Sequence, residues 1–325
     1  MDSKTRELAT VSYLHYRRGF SQTEIAKQLG KSKMTVSRLL REARERGIVQ
    51  FRLTVPCPSD PVIESKLKAE FSGLDDVIAV EEHLSGMGDV KRVLGQVAAD
   101  YLPFFVKSGD HLGVGGGETL AHMVDALNGP IGVSDITVVQ LTGVTGQVAR
   151  LGNETLTTQK LSEKLGAQGF FCPIPSPFDQ RLLKGGEQLL AQFCLEARDR
   201  WNRIDVGVIG IGATMSRISR YREGYLSPEQ LERLLDEGAV GDVLLHFFGA
   251  DGQIVDHAFD ATVTAISWEQ LEHVNTVIAI AGGEEKTESI LAALRSGLID
   301  VLIVDRSTAS RVLERKRTED PKPAS

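Results

Sequence analysis

The chain has 325 residues, which is too long for one small hydrophobic core and therefore predicts two domains. Its apolar residues fall in short runs broken by polar ones, which argues against a membrane-spanning helix and predicts a cytoplasmic protein. The net charge of −7 is unevenly divided: residues 1–55 hold 12 Lys and Arg against 5 Asp and Glu, whereas residues 56–325 hold 25 against 39, a pattern typical of a nucleic-acid-binding module joined to a domain of another kind.

The first predicted motif is a helix-turn-helix at residues 21–41. Ser21 and Glu24 form a capping box that begins a helix, and Gly30 supplies the left-handed conformation that ends it. A second helix begins at its cap, Ser32. The apolar stripe of this second helix, spaced at i, i+3, i+4 and i+7, consists of Val36, Leu39, Leu40 and Ala43.

The opposite face of the second helix is basic and predicts contact with double-stranded operator DNA. In this motif the second helix enters the major groove, so that its N-terminal residues meet base edges. The residues predicted to contact bases are Ser32, Lys33, Met34, Thr35 and Arg38. Those predicted to contact phosphates are Thr23, Ser37 and Arg41. The alternative is a plain helical hairpin with a solvated basic face.

Composition along the chain predicts four segments. Residues 1–55 form the DNA-binding domain, with a support helix before the motif and a wing-like strand at 48–55. Residues 56–61 contain three prolines and predict a stiff linker. Residues 62–315 form an α/β effector domain, and the charged residues 316–325 predict a disordered tail.

Short apolar runs alternate with amphipathic stretches in the effector domain. The predicted strands are residues 77–80, 111–114, 136–141, 206–211, 243–248, 277–281 and 301–304. The predicted helices include residues 89–102, 118–127, 154–165 and 284–295. This alternation predicts a mostly parallel sheet that is covered on both faces and binds ligands beyond the carboxyl ends of its strands.

Glycine-bearing turns follow several of these strands. The turn at 113–119 can hold an anion on its backbone N–H groups, but Glu118 occupies the third glycine position of a dinucleotide fingerprint. The turn also lacks the lysine of a P-loop. Cys57, Cys172 and Cys194 are too far apart for a disulfide framework or a zinc site. We therefore expect no cofactor and no metal.

Taken in order, these motifs resemble the SorC family of bacterial sugar-responsive transcription regulators. The resemblance runs from about residue 5 to residue 313 and is strongest at 32–41, 138–143, 238–242 and 281–305. It implies a winged helix-turn-helix domain followed by a larger, mostly parallel α/β domain whose fold is similar to that of sugar-phosphate isomerases and deaminases. Because helix-turn-helix proteins usually bind two half-sites, we expect a homodimer or homotetramer.

The resemblance also implies an effector pocket at the strand ends. The phosphate-binding turn of the family matches Gly115, Gly116, Gly117, Glu118, Thr119 and Leu120. The pocket wall matches Gln140, Thr142 and Gly143. Asp242 falls where the family places an acid facing the sugar, and Lys286 where it places a lysine near the ligand anion. Either Arg220 or Arg222 is expected to close over the ligand.

Glu118 departs from the family pattern, because a carboxylate beside a phosphate is repulsive unless it points away. An unphosphorylated sugar or polyol, with Glu118 accepting hydrogen bonds from its hydroxyls, therefore stays open beside a sugar phosphate. The predicted function is that of a DNA-binding regulator of carbohydrate catabolism genes under the control of such an effector. The alternative is an isomerase- or deaminase-like enzyme with a DNA-binding appendage, for which Asp242 is the candidate base. A sugar kinase or dehydrogenase is disfavoured by the missing nucleotide motifs.

Overall fold

The computed structural model describes residues 3–49, 59–81, 89–144, 153–177, 187–213 and 226–319. The chain divides into two compact units, Met1–Val55 and Pro56–Ser325, each with its own hydrophobic core. In the described part of the chain, no helix combines the length and apolar character that a membrane crossing requires.

The first unit is helical. Its helices are α1 (Ser3–Ser12), a π-helical turn (Tyr13–Arg17), α2 (Gln22–Gln28) and α3 (Lys33–Glu45). The predicted capping box is confirmed, since the Glu24 N–H donates to Ser21 Oγ and the Ser21 N–H donates to Glu24 Oε2 at 2.8 Å. Hydrogen bonding with Ser21 lowers the pKa of Glu24 below its ordinary value.

The apolar stripes of the three helices share one core, as predicted. The buried members are Leu8, Val11, Ile25, Ala26, Val36, Leu39, Leu40 and Ala43. Gly30 adopts a φ of +62°, and the Lys31 N–H after it donates to the Ala26 carbonyl. This turn brings α2 and α3 together around small and β-branched side chains, as a helix-turn-helix requires.

The wing-like strand predicted at 48–55 is wrong at its first two residues. Gly47 has a φ of +69°, and the N–H groups of Ile48 and Val49 both donate to the Ala43 carbonyl. Residues 48 and 49 therefore finish the end of α3 instead of beginning a strand, and residues 50–55 lie outside the described residues.

The second unit contains a parallel sheet and a small antiparallel one. Its strands are β1 (Asp76–Val80), β2 (His111–Val114), β3 (Thr137–Gln140), β4 (Gln168–Phe170), β5 (Val206–Gly210), β6 (Gly212–Ala213), β7 (Gly241–Val243), β8 (His246–Phe248), β9 (Thr276–Ile280) and β10 (Val301–Asp305). The main sheet has the order β1-β10-β9-β5-β2-β3-β4, and every pairing in it is parallel. The predicted α/β class with a mostly parallel sheet is confirmed.

Helices cover both faces of this sheet. They are α4 (Pro61–Glu70), α5 (Val90–Phe105), α6 (Glu118–Ala126), α7 (Glu154–Leu165), α8 (Glu187–Trp201), α9 (Pro228–Asp236), α10 (His257–Asp260), α11 (Trp268–Glu272), α12 (Thr287–Arg295), preceded by a 3-10 turn at Glu284–Lys286, and α13 (Arg306–Glu319). Successive strand residues enter opposite layers: Leu302 and Val304 belong to one core cluster, and Val301 and Ile303 to the other. Burial on both faces explains the continuous apolar runs of the strands.

The single strand predicted at 243–248 is wrong. Leu244 and Leu245 adopt positive φ values of 54° and 71°, and they turn the chain back on itself between β7 and β8. The resulting hairpin joins β6 in a separate antiparallel sheet. Two apolar residues in the left-handed region give no turn pattern that a sequence search would detect.

The limits predicted for the linker and the tail also need correction. Ser59 pairs with Val80, Asp60 caps α4 and Pro61 is its first residue, so only residues 56–58 remain, outside the described residues. At the other end α13 continues to Glu319, which pairs with Arg295 at 2.9 Å. Buried apolar residues hold this helix on the domain, whereas residues 320–325 lie outside the described residues.

The strand order defines where a ligand would lie. From β2 the chain moves to β3 and β4 on one side, whereas β5, β9 and β10 continue on the other. The direction of winding thus reverses between β2 and β5. In open α/β sheets, ligands bind in the crevice beyond the carboxyl ends of the strands at such a switch point.

Candidate DNA interface and effector site

The residues predicted to contact DNA are six residues of α3, its cap Ser32, and Thr23 of α2. Seven of the eight are exposed and Thr35 is half-buried; the exposed ones are Thr23, Ser32, Lys33, Met34, Ser37, Arg38 and Arg41. Met34 is 81% exposed, an unusual position for a large apolar side chain. Within the described ranges Lys33, Arg38 and Arg41 make no ion pair, which leaves them available to phosphates and bases.

Other cations of this unit are already paired. Lys31, in the turn, lies 2.6 Å from Glu7 of α1, and this contact lowers the pKa of Glu7. Lys4 pairs with Glu42 on α3 at 3.3 Å. The acids of α1 and α3 therefore neutralise cations away from the exposed face and leave that face basic. Ser32 also has a hydrogen-bond partner within the protein, since its Oγ accepts from the Thr35 N–H at 3.1 Å.

The glycine turn lies at the switch point between β2 and β5. The Gly115 N–H donates to the Val208 carbonyl of β5 at 3.0 Å. A Cβ at Gly115 would lie 2.8 Å from Leu244, and Gly117 has a φ of +117° at the start of α6. The positive φ therefore favours glycine at position 117, whereas a Cβ at Gly115 would require the end of the Leu244 side chain to move. Thr119 and Leu120, in the first turn of α6, are buried.

Glu118 makes an ion pair. Its Oε2 lies 2.6 Å from Nζ of Lys91 on α5, and the two side chains are 34% and 28% exposed. The negative charge of Glu118, which distinguishes this turn from the phosphate-binding pattern of the family, is therefore paired with a cation. Nothing in the sequence pattern points to Lys91, which lies 27 residues away along the chain.

The predicted pocket wall follows β3. Gln140 is fully buried, and its Nε2 donates to the Thr142 carbonyl at 2.7 Å and to the Cys172 carbonyl at 3.3 Å. Gly143 is held by its N–H, which donates to the Thr264 carbonyl at 2.6 Å. Burial raises the pKa of the Cys172 thiol to about 11, so this cysteine is a protonated structural group.

Three buried side-chain atoms near these strand ends have no hydrogen-bond partner among the residues that the structure describes. They are Gln140 Oε1, Thr142 Oγ1 and Asn153 Nδ2. An unsatisfied buried polar group costs about 1–3 kcal/mol, so such groups are uncommon unless a ligand or water completes them. The three atoms include an acceptor, a donor and a hydroxyl that can act as either.

Asn153 and Glu154 were not predicted as site residues. Asn153 caps α7, since its Oδ1 accepts from the N–H groups of Thr155 and Leu156. Glu154 is only 8% exposed, and its side chain lies against Gly116. The one sequence indication was an Asn-Glu pair at a predicted helix start, which is common at ordinary caps.

Asp242 and Lys286 come to the same end of the sheet from different elements. Asp242, in β7, is opposite Gly212 of β6, which directly follows β5, and its Oδ2 accepts from the Leu245 N–H. Lys286 ends the 3-10 turn after β9 and is half-buried. Ser289, one turn beyond Lys286, packs on Gly241 beside Asp242. Arg220 and Arg222 lie outside the described residues.

Two further features of the second unit, a buried histidine and a cavity, lie outside the predicted effector site. His246 is buried, with Nδ1 2.6 Å from Asp260 Oδ1 and Nε2 2.8 Å from the Ile266 carbonyl, and so fixes the segment that contacts the pocket wall. A cavity of about 420 Å³ lies before β5 and β9, at the amino ends of the strands, and is lined by Trp201, Asn202, Ile204, Glu269, Gln270, His273 and Val274. Its position is opposite to that expected for a ligand of this fold.

Comparison with known proteins assigns both units. Residues 59–314 match the family model described as "Putative sugar-binding domain", and residues 3–52 match one described as a homeodomain-like domain. The deoxyribonucleoside regulator of Bacillus subtilis is 29% identical, and the sorbitol operon regulator of Klebsiella pneumoniae is 27% identical, each over 95% of this chain and 98% of the relative.

A solved structure supports the same assignment. The crystal structure of the full-length sorbitol operon regulator SorC from Klebsiella pneumoniae superposes with a TM-score of 0.82 and 25% identity, and the match covers 96% of this chain and 99% of that one. These relatives are named as regulators, which supports regulation over the enzyme alternative. The chain belongs to the SorC family of sugar-binding transcriptional regulators.

Proposed function

We propose that this protein controls transcription of carbohydrate catabolism genes by binding operator DNA through α3 and a sugar, polyol or sugar-phosphate effector beyond β2, β3 and β5. The observation that carries the effector site is a set of three buried side-chain atoms that have no hydrogen-bond partner among the described residues: Gln140 Oε1, Thr142 Oγ1 and Asn153 Nδ2. A hydroxyl both donates and accepts hydrogen bonds, so a polyhydroxylated ligand can satisfy all three. Effector occupancy is expected to change operator affinity through a coupling free energy.

We also propose an oligomeric state and a location for the protein. Operators for helix-turn-helix regulators carry two half-sites, so the active form is a homodimer or homotetramer in the cytoplasm, where the DNA lies. Thr23, Ser37 and Arg41 position the protein on phosphates, and Ser32, Lys33, Met34, Thr35 and Arg38 face the bases. Gly115–Leu120, Gln140, Thr142, Gly143, Asp242 and Lys286 surround the effector.

The DNA-binding role predicts a selective loss in Arg38→Ala. Arg38 is exposed on α3, and a lost base contact costs about 1–3 kcal/mol, or roughly fivefold to more than a hundredfold in operator affinity. Fluorescence anisotropy with an operator duplex selected from random-sequence DNA measures this loss. Arg203→Ala, which removes an exposed arginine paired with Asp199, is the matched control and is expected to bind normally. Equal loss of DNA and effector binding in Arg38→Ala would contradict the assignment.

The effector role is tested by a thermal-shift screen of pentoses, hexitols and their monophosphates on the full chain. Because the relatives are named for sorbitol and deoxyribonucleosides, sorbitol and 2-deoxyribose are the first probes. A ligand at a hundredfold excess over its dissociation constant is expected to stabilise the protein by about 2.7 kcal/mol. Turnover of a hit by the purified protein would instead support the isomerase or deaminase alternative.

Thr142→Val tests whether a ligand found in this screen binds at the proposed site. It removes the buried Oγ1 with almost no change in volume, so the unliganded protein is expected to be at least as stable as the wild type. The affinity for the hit is expected to fall about tenfold, the value of one lost hydrogen bond of about 1.4 kcal/mol. An unchanged affinity would show that Thr142 does not face the ligand.

A further inference from the structure

We infer that Met34, in the first turn of α3, recognises a thymine of the operator by packing on the C5 methyl group of that base. This inference rests on the proposed function, because it requires α3 to enter the major groove. It goes further by naming one base that the operator must contain and the hydrophobic contact that selects it.

The first support is the position of Met34 on the helix. Met34 is the second residue of α3, and the N-terminal residues of the second helix are those that contact base edges in this motif. Residues spaced at i, i+3, i+4 and i+7 lie on one face of a helix. The exposed residues that share the face of Met34 at these spacings are Ser37, Arg38 and Arg41. The buried stripe, which begins at Val36, lies on the opposite face.

The second support is the exposure of an apolar side chain at this position. Met34 has the highest exposed fraction among the large apolar side chains of the described ranges. A partner that removes this surface from water gains free energy by covering it. The cations beside it, Lys33 and Arg38, make no ion pair within the same ranges, so the partner that fits them is anionic around an apolar contact. The phosphate-lined major groove has this character, whereas an apolar protein surface does not.

The chemistry of the major groove determines which base Met34 selects. The only apolar group that a base pair presents there is the C5 methyl group of thymine; the other groups are hydrogen-bond donors and acceptors. A methionine has no donor and only a weak acceptor, so covering a polar base edge with it would leave that edge without a partner. Packing on the thymine methyl instead buries two apolar surfaces, and the flexible thioether chain can adjust to the position of the methyl group.

Thr35, the next residue, also carries a methyl group. Its side chain is half-buried, and its Oγ1 lies 2.8 Å from Ser32 Oγ, which also accepts from the Thr35 N–H. These contacts hold the Thr35 side chain at the cap of α3 and leave less of its surface open to a base. The contact with the thymine methyl group therefore falls to Met34.

The test compares thymine with uracil, which lacks only the C5 methyl group. An operator duplex is selected from random-sequence DNA with the full-length protein, each of its thymines is replaced in turn by deoxyuridine, and fluorescence anisotropy measures the affinity. At one position or more we expect the wild type to bind the deoxyuridine duplex about fourfold more weakly, which corresponds to about 0.8 kcal/mol for one apolar carbon group returned to water.

Three variants assign this preference to a side chain. In Met34→Ala we expect the thymine and deoxyuridine duplexes to bind with equal affinity, because the side chain that covers the methyl group is gone. Met34→Leu keeps a large apolar side chain and is expected to retain the preference for thymine. Ser37→Ala is the matched control on the same face of α3: it removes a predicted phosphate contact, so we expect it to weaken both duplexes by the same factor.

Equal affinity of the wild type for the thymine and deoxyuridine duplexes at every position would overturn the inference. A preference for thymine that persists undiminished in Met34→Ala would overturn the assignment to Met34. Because Met34 lies outside the core, its variants are expected to fold like the wild type, which circular dichroism checks. Failure of the proposed function is distinguishable: the selection would then enrich no DNA sequence, and the inference would fall with it.

Discussion

Gly143→Ala is expected to lower the free energy of unfolding of the second unit by about 3 kcal/mol or more, at the upper end of the range for overpacked sites. A Cβ at this position would overlap the carbonyl oxygen of Ile174, which is backbone and cannot rotate away. That oxygen is already fixed by the Val144 N–H at 2.7 Å, and the Gly143 N–H is held by Thr264. The chain is therefore constrained on both sides of the added methyl group.

Urea unfolding followed by circular dichroism measures this loss, and Gly207→Ala is its control. Gly207 is in β5, where a Cβ would meet only Val274 Cγ1 at 3.7 Å, an ordinary contact. We expect Gly207→Ala to change the free energy of unfolding by less than about 1 kcal/mol. An equally small loss in Gly143→Ala would show that the backbone around Gly143 can move to accommodate a methyl group, despite its hydrogen bonds.

Local patterns predicted much of this fold. The capping box at Ser21 and Glu24 and the apolar stripe of α3 are encoded within a few residues, so both helices could be located from sequence. The buried parallel strands were equally recognisable as short apolar runs between amphipathic stretches. In each of these cases the interactions that determine the element lie within or beside it.

Features that depend on distant partners could not be predicted in the same way. The last turn of α13 is stabilised by Arg295, which precedes Glu319 by more than twenty residues. The turn between β7 and β8 places Leu244 against Gly115 of another turn. The same holds for the candidate site: Lys91 beside Glu118, and Glu154 against Gly116, are contacts without any periodicity in the sequence. Sequence reasoning therefore identified the turns but not the charges that surround them.

Asp305→Ala is expected to lower the free energy of unfolding of the second unit by about 3–5 kcal/mol, because two buried backbone donors would each lose an acceptor at a cost of about 1–3 kcal/mol. Asp305 is 1% exposed at the end of β10. Its Oδ1 accepts from the Thr308 N–H at 2.8 Å, and its Oδ2 accepts from the Gly283 N–H at 2.9 Å. Without the carboxylate, α13 loses its cap and the turn after β9 loses its anchor.

Asp305→Asn separates charge from hydrogen bonding, since its amide retains one acceptor oxygen, and we expect it to lose about half as much stability as Asp305→Ala. The control is Asp199→Ala, which removes a 59%-exposed carboxylate paired with Arg203 and is expected to cost less than about 1 kcal/mol. Chemical denaturation of the three variants measures the free energy of unfolding that each one loses.

Because Gly283 begins the turn that carries Lys286, Asp305→Asn is also expected to weaken effector binding while operator affinity without effector stays unchanged. Unchanged effector affinity in a destabilised Asp305→Asn would place Lys286 outside the binding site.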